Sequence, residues 1–359
     1  MTSQVISLRQ QLSTSTSRTS PTNSGCPRNP SLKLDGLPKE VHVFVRRYFA
    51  GAVLSTEQLE NFAHFCIEKP DEATEIFAAS LRYEYPLRCS YERRALKTLV
   101  GILEGQNAEI PNSIFEAIGE CMVDVSMTSH RIFFNGESDV VVIRESNEQL
   151  SHGTTGLSCW QASCHLANLL SLVDLSGKSV LELGAGCGLT GISLAAWQAT
   201  EHVKLTDFDE NVLAQLHHNT KLNFGESQER VSVESIDFMN FSVDEFTFKP
   251  DVIIGADIVY DGSILNGLSR TIFQLLALKE NSVCIIACAL RNVDTLAKFD
   301  RAIESNGLTV VESARIQFNR VTLDRDCSID LPQLFPFSAS VDCPTIVYLI
   351  ARRDLVVDE

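Results

Sequence analysis

The sequence predicts an α/β fold: a doubly wound, Rossmann-like sheet of about seven strands with an antiparallel last strand, preceded by a helical N-terminal module. Three observations carry this. From Ser179 onward, short apolar runs of strand length alternate with helical patterns, and such alternation builds a parallel sheet covered on both faces. The run Glu182-Leu183-Gly184-Ala185-Gly186-Cys187-Gly188 falls where the first of those strands meets its helix, where open sheets of this kind bind nucleotide-like ligands. Before residue 128, apolar residues instead recur at helical spacing.

Composition bounds the function. With 44% hydrophobic and 21% charged residues, most of the 359-residue chain can bury a core. A formal net charge of -16 repels phosphate backbones over most of the surface, so no direct nucleic-acid partner is expected, whereas a basic protein surface would be attracted. No apolar run approaches the ~20 residues that span a bilayer, and no membrane partner is expected. The 11 cysteines are scattered without a C-x-x-C pair. They read as reduced, mostly buried thiols of a cytosolic protein, with no metal site.

Taken in order, residues 1–36 read as a disordered tail. Met1–Leu34 holds no Asp or Glu but is rich in Ser and Thr, with Arg9, Arg18, Arg28 and Lys33 interspersed. That composition also suits a mitochondrial transit peptide. Pro21, Pro27 and Pro30 disfavour the amphipathic helix such a peptide needs. Residues 37–128 read as a helical module, for partner contact or for bracing the neighbouring domain. Val45, Tyr48 and Phe49 fall at helical spacing, as do Leu59, Phe62 and Phe65, then Leu96, Leu99 and Leu103. Phe77, Leu81 and Tyr85 share one face, and Pro111 opens another helix. Residues 129–359 form the third region. It opens with a β-hairpin around Asn135-Gly136 and a helix from about Trp160 to Leu172. The strands expected after that are Val180–Leu183, Val203–Thr206, Val231–Ile236, Val252–Ala256, Val283–Ala289, Leu308–Glu312 and Ile346–Ala351. Ser313–Pro344 shows no helix, which an antiparallel final pair explains.

Gly186, Gly188 and Gly191 satisfy G-x-G-x-x-G, a pattern open to dinucleotides and to S-adenosylmethionine alike. Three acids favour S-adenosylmethionine. Glu182 precedes the loop, where a carboxylate suits a ligand bearing an α-ammonium group and sits poorly beside a pyrophosphate. Asp207 ends the second strand, where it can accept from ribose hydroxyls. Asp237 ends the third strand, where it can accept from an adenine amino group while Phe238 covers the ring. Isolated strand-end aspartates are by default caps or turn residues; their joint order is what points to a ligand. On the fourth strand, Ala256 leaves room for the cofactor, and Asp257 and Tyr260 flank the position of methyl transfer. His152 and the pair His217–His218 are given no role.

At these residues the chain resembles the seven-stranded class I methyltransferases, and within them the protein lysine methyltransferases marked by Asp-x-x-Tyr, here Asp257-Ile258-Val259-Tyr260. More narrowly, Glu145-Ser146, the Ser151–Leu157 run and Trp160-Gln161-Ala162 resemble the eukaryotic elongation factor 2 lysine methyltransferase family, also called family 86. Tyr85-Pro86, Ala95-Leu96-Lys97 and Arg291-Asn292 with Thr295 and Phe299 are similar in style. The resemblance implies a protein lysine N-methyltransferase of the cytoplasm that uses S-adenosylmethionine on a lysine of translation elongation factor 2. It implies that Trp160, Gly184, Ala185, Gly186, Asp207 and Ala256 meet the cofactor; Gly188 completes the expected loop. The family's adenine-side aromatic is usually Trp, and Phe238 stands there in this chain. Asp257 is expected to orient the amine or a bridging water, and Tyr260 to line the lysine channel. A methyltransferase for another substrate, a non-catalytic cofactor-binding adaptor and a nicotinamide oxidoreductase are the competing readings.

Overall fold

The computed structural model describes residues 32, 34, 36–123, 126–136, 139–151, 153–226, 229–244, 246–324, 327–338 and 343–355. The expected tail lies outside the described residues apart from Leu32, Leu34 and Gly36, and those two leucines are buried. His152 also lies outside them. The described chain divides into two compact units, one of residues 32–151 with 334–338, the other of 153–333 with 343–355.

The first unit holds helices α1 (Lys39–Phe49), α2 (Thr56–Glu68), α3 (Pro70–Phe77), α4 (Ser80–Glu84), α5 (Cys89–Gly105) and α6 (Asn112–Val123). Local chemistry sets their starts. Ser55 and Gln58 form a capping box on α2, and Pro70 opens α3 with its fixed φ. The shared face expected for Phe77, Leu81 and Tyr85 is interrupted, because the helix ends at Phe77 and restarts at Ser80. An aromatic core fills the unit: Phe44 stacks on Phe62 at 3.7 Å between centroids, and Tyr48 meets Phe77 edge-on at 5.6 Å. One ion cluster is buried in it. Glu92 accepts from Tyr48, from Arg82 Nε at 2.6 Å and from the Cys121 thiol at 3.2 Å, so its charge is both paired and hydrogen-bonded.

The hairpin, β1 (Thr128–Asn135) and β2 (Asp139–Ser146), forms as expected around Gly136 at φ +65°. It falls in this first unit, which runs on to residue 151. The reason is packing. Phe134 of β1 meets Phe49 of α1 edge-on at 5.8 Å, and Arg46 donates to the Phe134 carbonyl at 2.8 Å.

The second unit is a mixed sheet with helices on both faces. Its elements are α7 (Gln161–Leu170), β3 (Ser179–Leu183), α8 (Leu189–Trp197), β4 (His202–Asp207), α9 (Glu210–Phe224), β5 (Val231–Ser235), β6 (Val252–Ala256), α10 (Leu265–Leu276), β7 (Val283–Ala289), α11 (Val293–Ser305), β8 (Leu308–Gln317), β9 (Arg320–Asp324), β10 (Cys327–Asp330) and β11 (Thr345–Arg352). The strand order is β10-β9-β8-β11-β7-β6-β3-β4-β5. Strands β3 to β7 run parallel, and β11 lies antiparallel between β7 and β8. The expected seven strands are present and two more extend the sheet. The sequence hides them: in β10 the burial alternates between half-buried and exposed, so neither strand carries the apolar run that marks the core. By contrast β3 and β7 are buried along their whole length, as strands covered on both faces must be. Leu183, Ile253, Ile286, Phe299 and Ile350 join one apolar cluster across the sheet.

Candidate functional site

A cavity of about 380 Å³ opens at the C-terminal ends of β3, β4 and β6. The structure brings Trp160, Glu182, Gly184, Ala185, Gly186, Asp207, Asp237, Phe238, Ala256, Asp257 and Tyr260 to its wall. Gly188 is not among the lining residues.

The loop between β3 and α8 shapes one side. Gly184 and Gly186 hold φ of +57° and +56°, which side chains disfavour. Space is as tight as the dihedrals: a Cβ on Gly184 would stand 2.5 Å from Ile258 Cγ2, and one on Gly186 would stand 3.1 Å from the Gly156 carbonyl oxygen. Gly188 serves the turn itself. It is the left-handed N-cap of α8, and a Cβ there would meet Leu216 and Ile192 instead of the cavity. Gly191 lets α8 lie against β4, since a Cβ would come 2.2 Å from Leu205 Cδ2.

The acids behave differently from one another. Glu182 is 2% exposed and accepts at Oε2 from the Gly191 amide at 2.9 Å. It ties the first turn of α8 to β3, a structural duty separate from the expected pairing with a ligand's ammonium. Burial pushes its carboxyl up to about 8, against the amide bond that lowers it. Asp207 accepts from the amides of Gly186 at 3.1 Å, Phe208 at 2.8 Å and Asp209 at 3.3 Å. Those bonds fix the glycine loop to the end of β4, although burial still raises its carboxyl above the ordinary range. Asp237 accepts from Met239 N at 2.8 Å and Asn240 Nδ2 at 2.6 Å, which shapes the turn after β5.

On the opposite side, Asp257 follows β6 at φ +56°, a left-handed conformation rare outside glycine. Its amide donates to Ala287 O at 2.8 Å, its Oδ1 accepts from Ala289 N at 3.0 Å and its Oδ2 from Arg291 at 3.1 Å. Burial raises its carboxyl, and the Ala289 amide and the Arg291 charge hold it down. Trp160 is the N-cap residue of α7, and its indole donates to Thr155 O at 3.0 Å. Tyr260 is 63% exposed at the mouth; burial of its other half, with Asp207 and Asp261 nearby, raises its hydroxyl above the usual range.

Sequence reasoning does not single out Ser163, Phe208, Asp209, Met239, Ile258 and Ile264, which also line the cavity. Phe208 is 64% exposed beside Asp207, and its place directly after the strand-end acid is a usable signal. Thr154, Thr155 and Gly156 line it too; in the sequence they carry a family resemblance but no chemical signature. Among the described residues no group of acids, histidines and cysteines could hold a metal, and no helix is long and apolar enough to cross a membrane.

The chain is similar to several known proteins. The profile described as "Lysine methyltransferase" matches residues 137–306. Protein-lysine N-methyltransferase EEF2KMT of Homo sapiens is 29% identical over 63% of this chain and 73% of its own length. Protein-lysine N-methyltransferase EFM3 of Chaetomium thermophilum is 32% identical over 48% of this chain and 54% of its own. Among solved structures, M. jannaschii TYW2 in complex with AdoMet is 14% identical, covers 62% of this chain and 86% of its own, and overlays at a TM-score of 0.39.

Proposed function

We propose that this chain, whose residues 137–306 match the lysine methyltransferase profile, is a cytoplasmic, S-adenosylmethionine-dependent protein-lysine N-methyltransferase acting on translation elongation factor 2. The observation that carries the cofactor is the cradle between Gly184 and Gly186. Both glycines line the cavity at positive φ and carry no side chain, so a ligand can approach their backbone. Asp207 stands beside it with lone pairs left for ribose hydroxyls, and Phe208 and Phe238 offer apolar faces for a ring. The ten described cysteines are all thiols, in keeping with a reducing compartment. The substrate is carried by the relatives' names, and the net charge of -16 suits a lysine-bearing partner.

When bound, the cofactor supplies an activated methyl group on a sulfonium; the protein supplies alignment and electrostatics. Gly184, Ala185, Gly186 and Asp207 hold the ligand, and Trp160 and Ala256 bound the space beside it. Asp257 has one bond on each carboxylate oxygen and so keeps acceptor capacity toward the cavity. It orients the incoming amine. That amine must arrive neutral, since an ammonium has no lone pair. Lysine ionises near ~10.4 in water, and leaving water for a cavity beside a cation lowers that value. Tyr260, half exposed at the mouth, guides the aliphatic stem.

The test is to incubate the purified protein with labelled S-adenosylmethionine and lysate from cells lacking it, then locate the label by mass spectrometry. Label on a lysine of elongation factor 2 is the expected result. Label on another protein would move the substrate and leave the cofactor; no label with no binding of S-adenosylhomocysteine would overturn both.

A further inference from the structure

Arg291 does not line the cavity, yet it touches two residues that do. Its guanidinium donates to Asp257 Oδ2 at 3.1 Å, and its carbon sits 4.8 Å from the centroid of the Trp160 ring, within cation–π range. The three residues come from three places in the chain: Trp160 before α7, Asp257 after β6, Arg291 after β7. The backbone that launches Arg291 is itself fixed. Leu290 N donates to Pro344 O and Arg291 N to Ala289 O, both at 2.8 Å. Directly after it, the Asn292 side chain caps α11 by accepting from Asp294 N at 2.9 Å and Thr295 N at 3.3 Å. A flat cation on a fixed backbone therefore bridges a carboxylate and an aromatic ring.

We propose that Arg291 is a positioning residue, which sets the Trp160 ring and the Asp257 carboxylate in one geometry across the cavity. The assignment rests on the methyltransferase reading for its kinetic consequences, and on the contacts alone for its structural ones. Arginine suits the task better than lysine, because a planar guanidinium can donate along its edge while stacking on its face. Asp257 depends on it. The groups that face its carboxylate are the Ala289 amide, the Arg291 guanidinium and, from β7, the Cys288 thiol, whose own ionisation is disfavoured by burial and by Asp257. Only one of these is a cation.

The experiment compares full-length R291A and R291K with the parent, each with W160F as its blank. Trp160 and Trp197 are the only tryptophans, so the W160F difference isolates one ring. In the cofactor-free protein, R291A is expected to shift the Trp160 emission to longer wavelength, as a ring released from its partner meets water. In turnover, R291A is expected to lower kcat by about 10²-fold, the size of a roughly 1 Å misplacement. It should also move the acid limb of the kcat–pH profile upward, since Asp257 loses its cation. R291K is expected to restore the limb but not the emission. An R291A protein whose emission and acid limb both match the parent overturns the proposal, whatever its activity. Should R291A fail to fold, an R291K protein with parental emission overturns it equally. If the parent methylates no protein, the functional reading fails, while the emission comparison still decides whether Arg291 holds Trp160.

Discussion

The two sides of the cavity are built by different means. The Gly184–Gly186 side is made by backbone: positive φ, amides turned to Asp207, and contacts so close that a methyl group has no room. The Asp257 side is made by side chains that meet from distant parts of the chain, with Arg291 between Asp257 and Trp160. A backbone-built wall is rigid and tolerates almost no substitution. A side-chain-built wall can lose one member and keep its shape. The first should therefore govern whether a ligand binds at all, the second how well a bound one reacts.

The strongest way to break that contrast is G184A. A left-handed alanine costs about 1–2 kcal/mol, and the clash with Ile258 adds roughly 1–3 kcal/mol of overpacking. Loss of the thermal shift with S-adenosylhomocysteine and a lowered Tm are expected together; a normal shift would place the ligand elsewhere. Next comes D257N, which keeps shape and removes charge. Turnover should fall by about 10²-fold or more, the scale of a positioned polar group, with cofactor affinity by calorimetry nearly unchanged. Unaltered turnover would leave Asp257 only its structural bonds to Ala289 and Arg291.

A third test uses pH. Glu182 is raised to about 8 in the folded protein from an ordinary value near 4.5. The folded state then binds the extra proton between those values, so stability falls as pH rises through that window. The cofactor-free protein should lose Tm between about pH 6 and 8, E182Q should lose less, and a bound cationic ligand should flatten the slope. A parent and E182Q with identical profiles would show that Glu182 is ionised throughout. The smallest effect is expected from Y260F. The ring is 63% exposed, so KM for the protein substrate should rise only a few-fold with kcat kept, as for a group that binds ground and transition states alike.

The same contrast explains which features are legible in the sequence alone. Helix α8 is plain, because a left-handed Gly188 starts it and apolar or small residues, all buried, fill it from Leu189 to Trp197. Strand β7 is equally plain, seven buried residues in a row. Glycines and strand-end acids announce the backbone-built wall because their spacing along the chain is their geometry. Arg291 has no such signature: it lies 34 positions from Asp257, and only the folded sheet joins them. Glu182 shows a subtler gap. Its position beside the loop is legible, but not its bond to Gly191, nine residues on. The strands β9 and β10 escape a reading of the sequence because an alternating, half-exposed strand looks like loop when its partner is unknown.

Those added strands settle how one side of the sheet ends. Without them the border would be β8, ten residues long, a ready template for a foreign strand. With them the border is β10, four residues, with Ser328 and Asp330 exposed and Asp330 held by Arg320 across the pair. A border that short and that polar offers a foreign strand little to pair with.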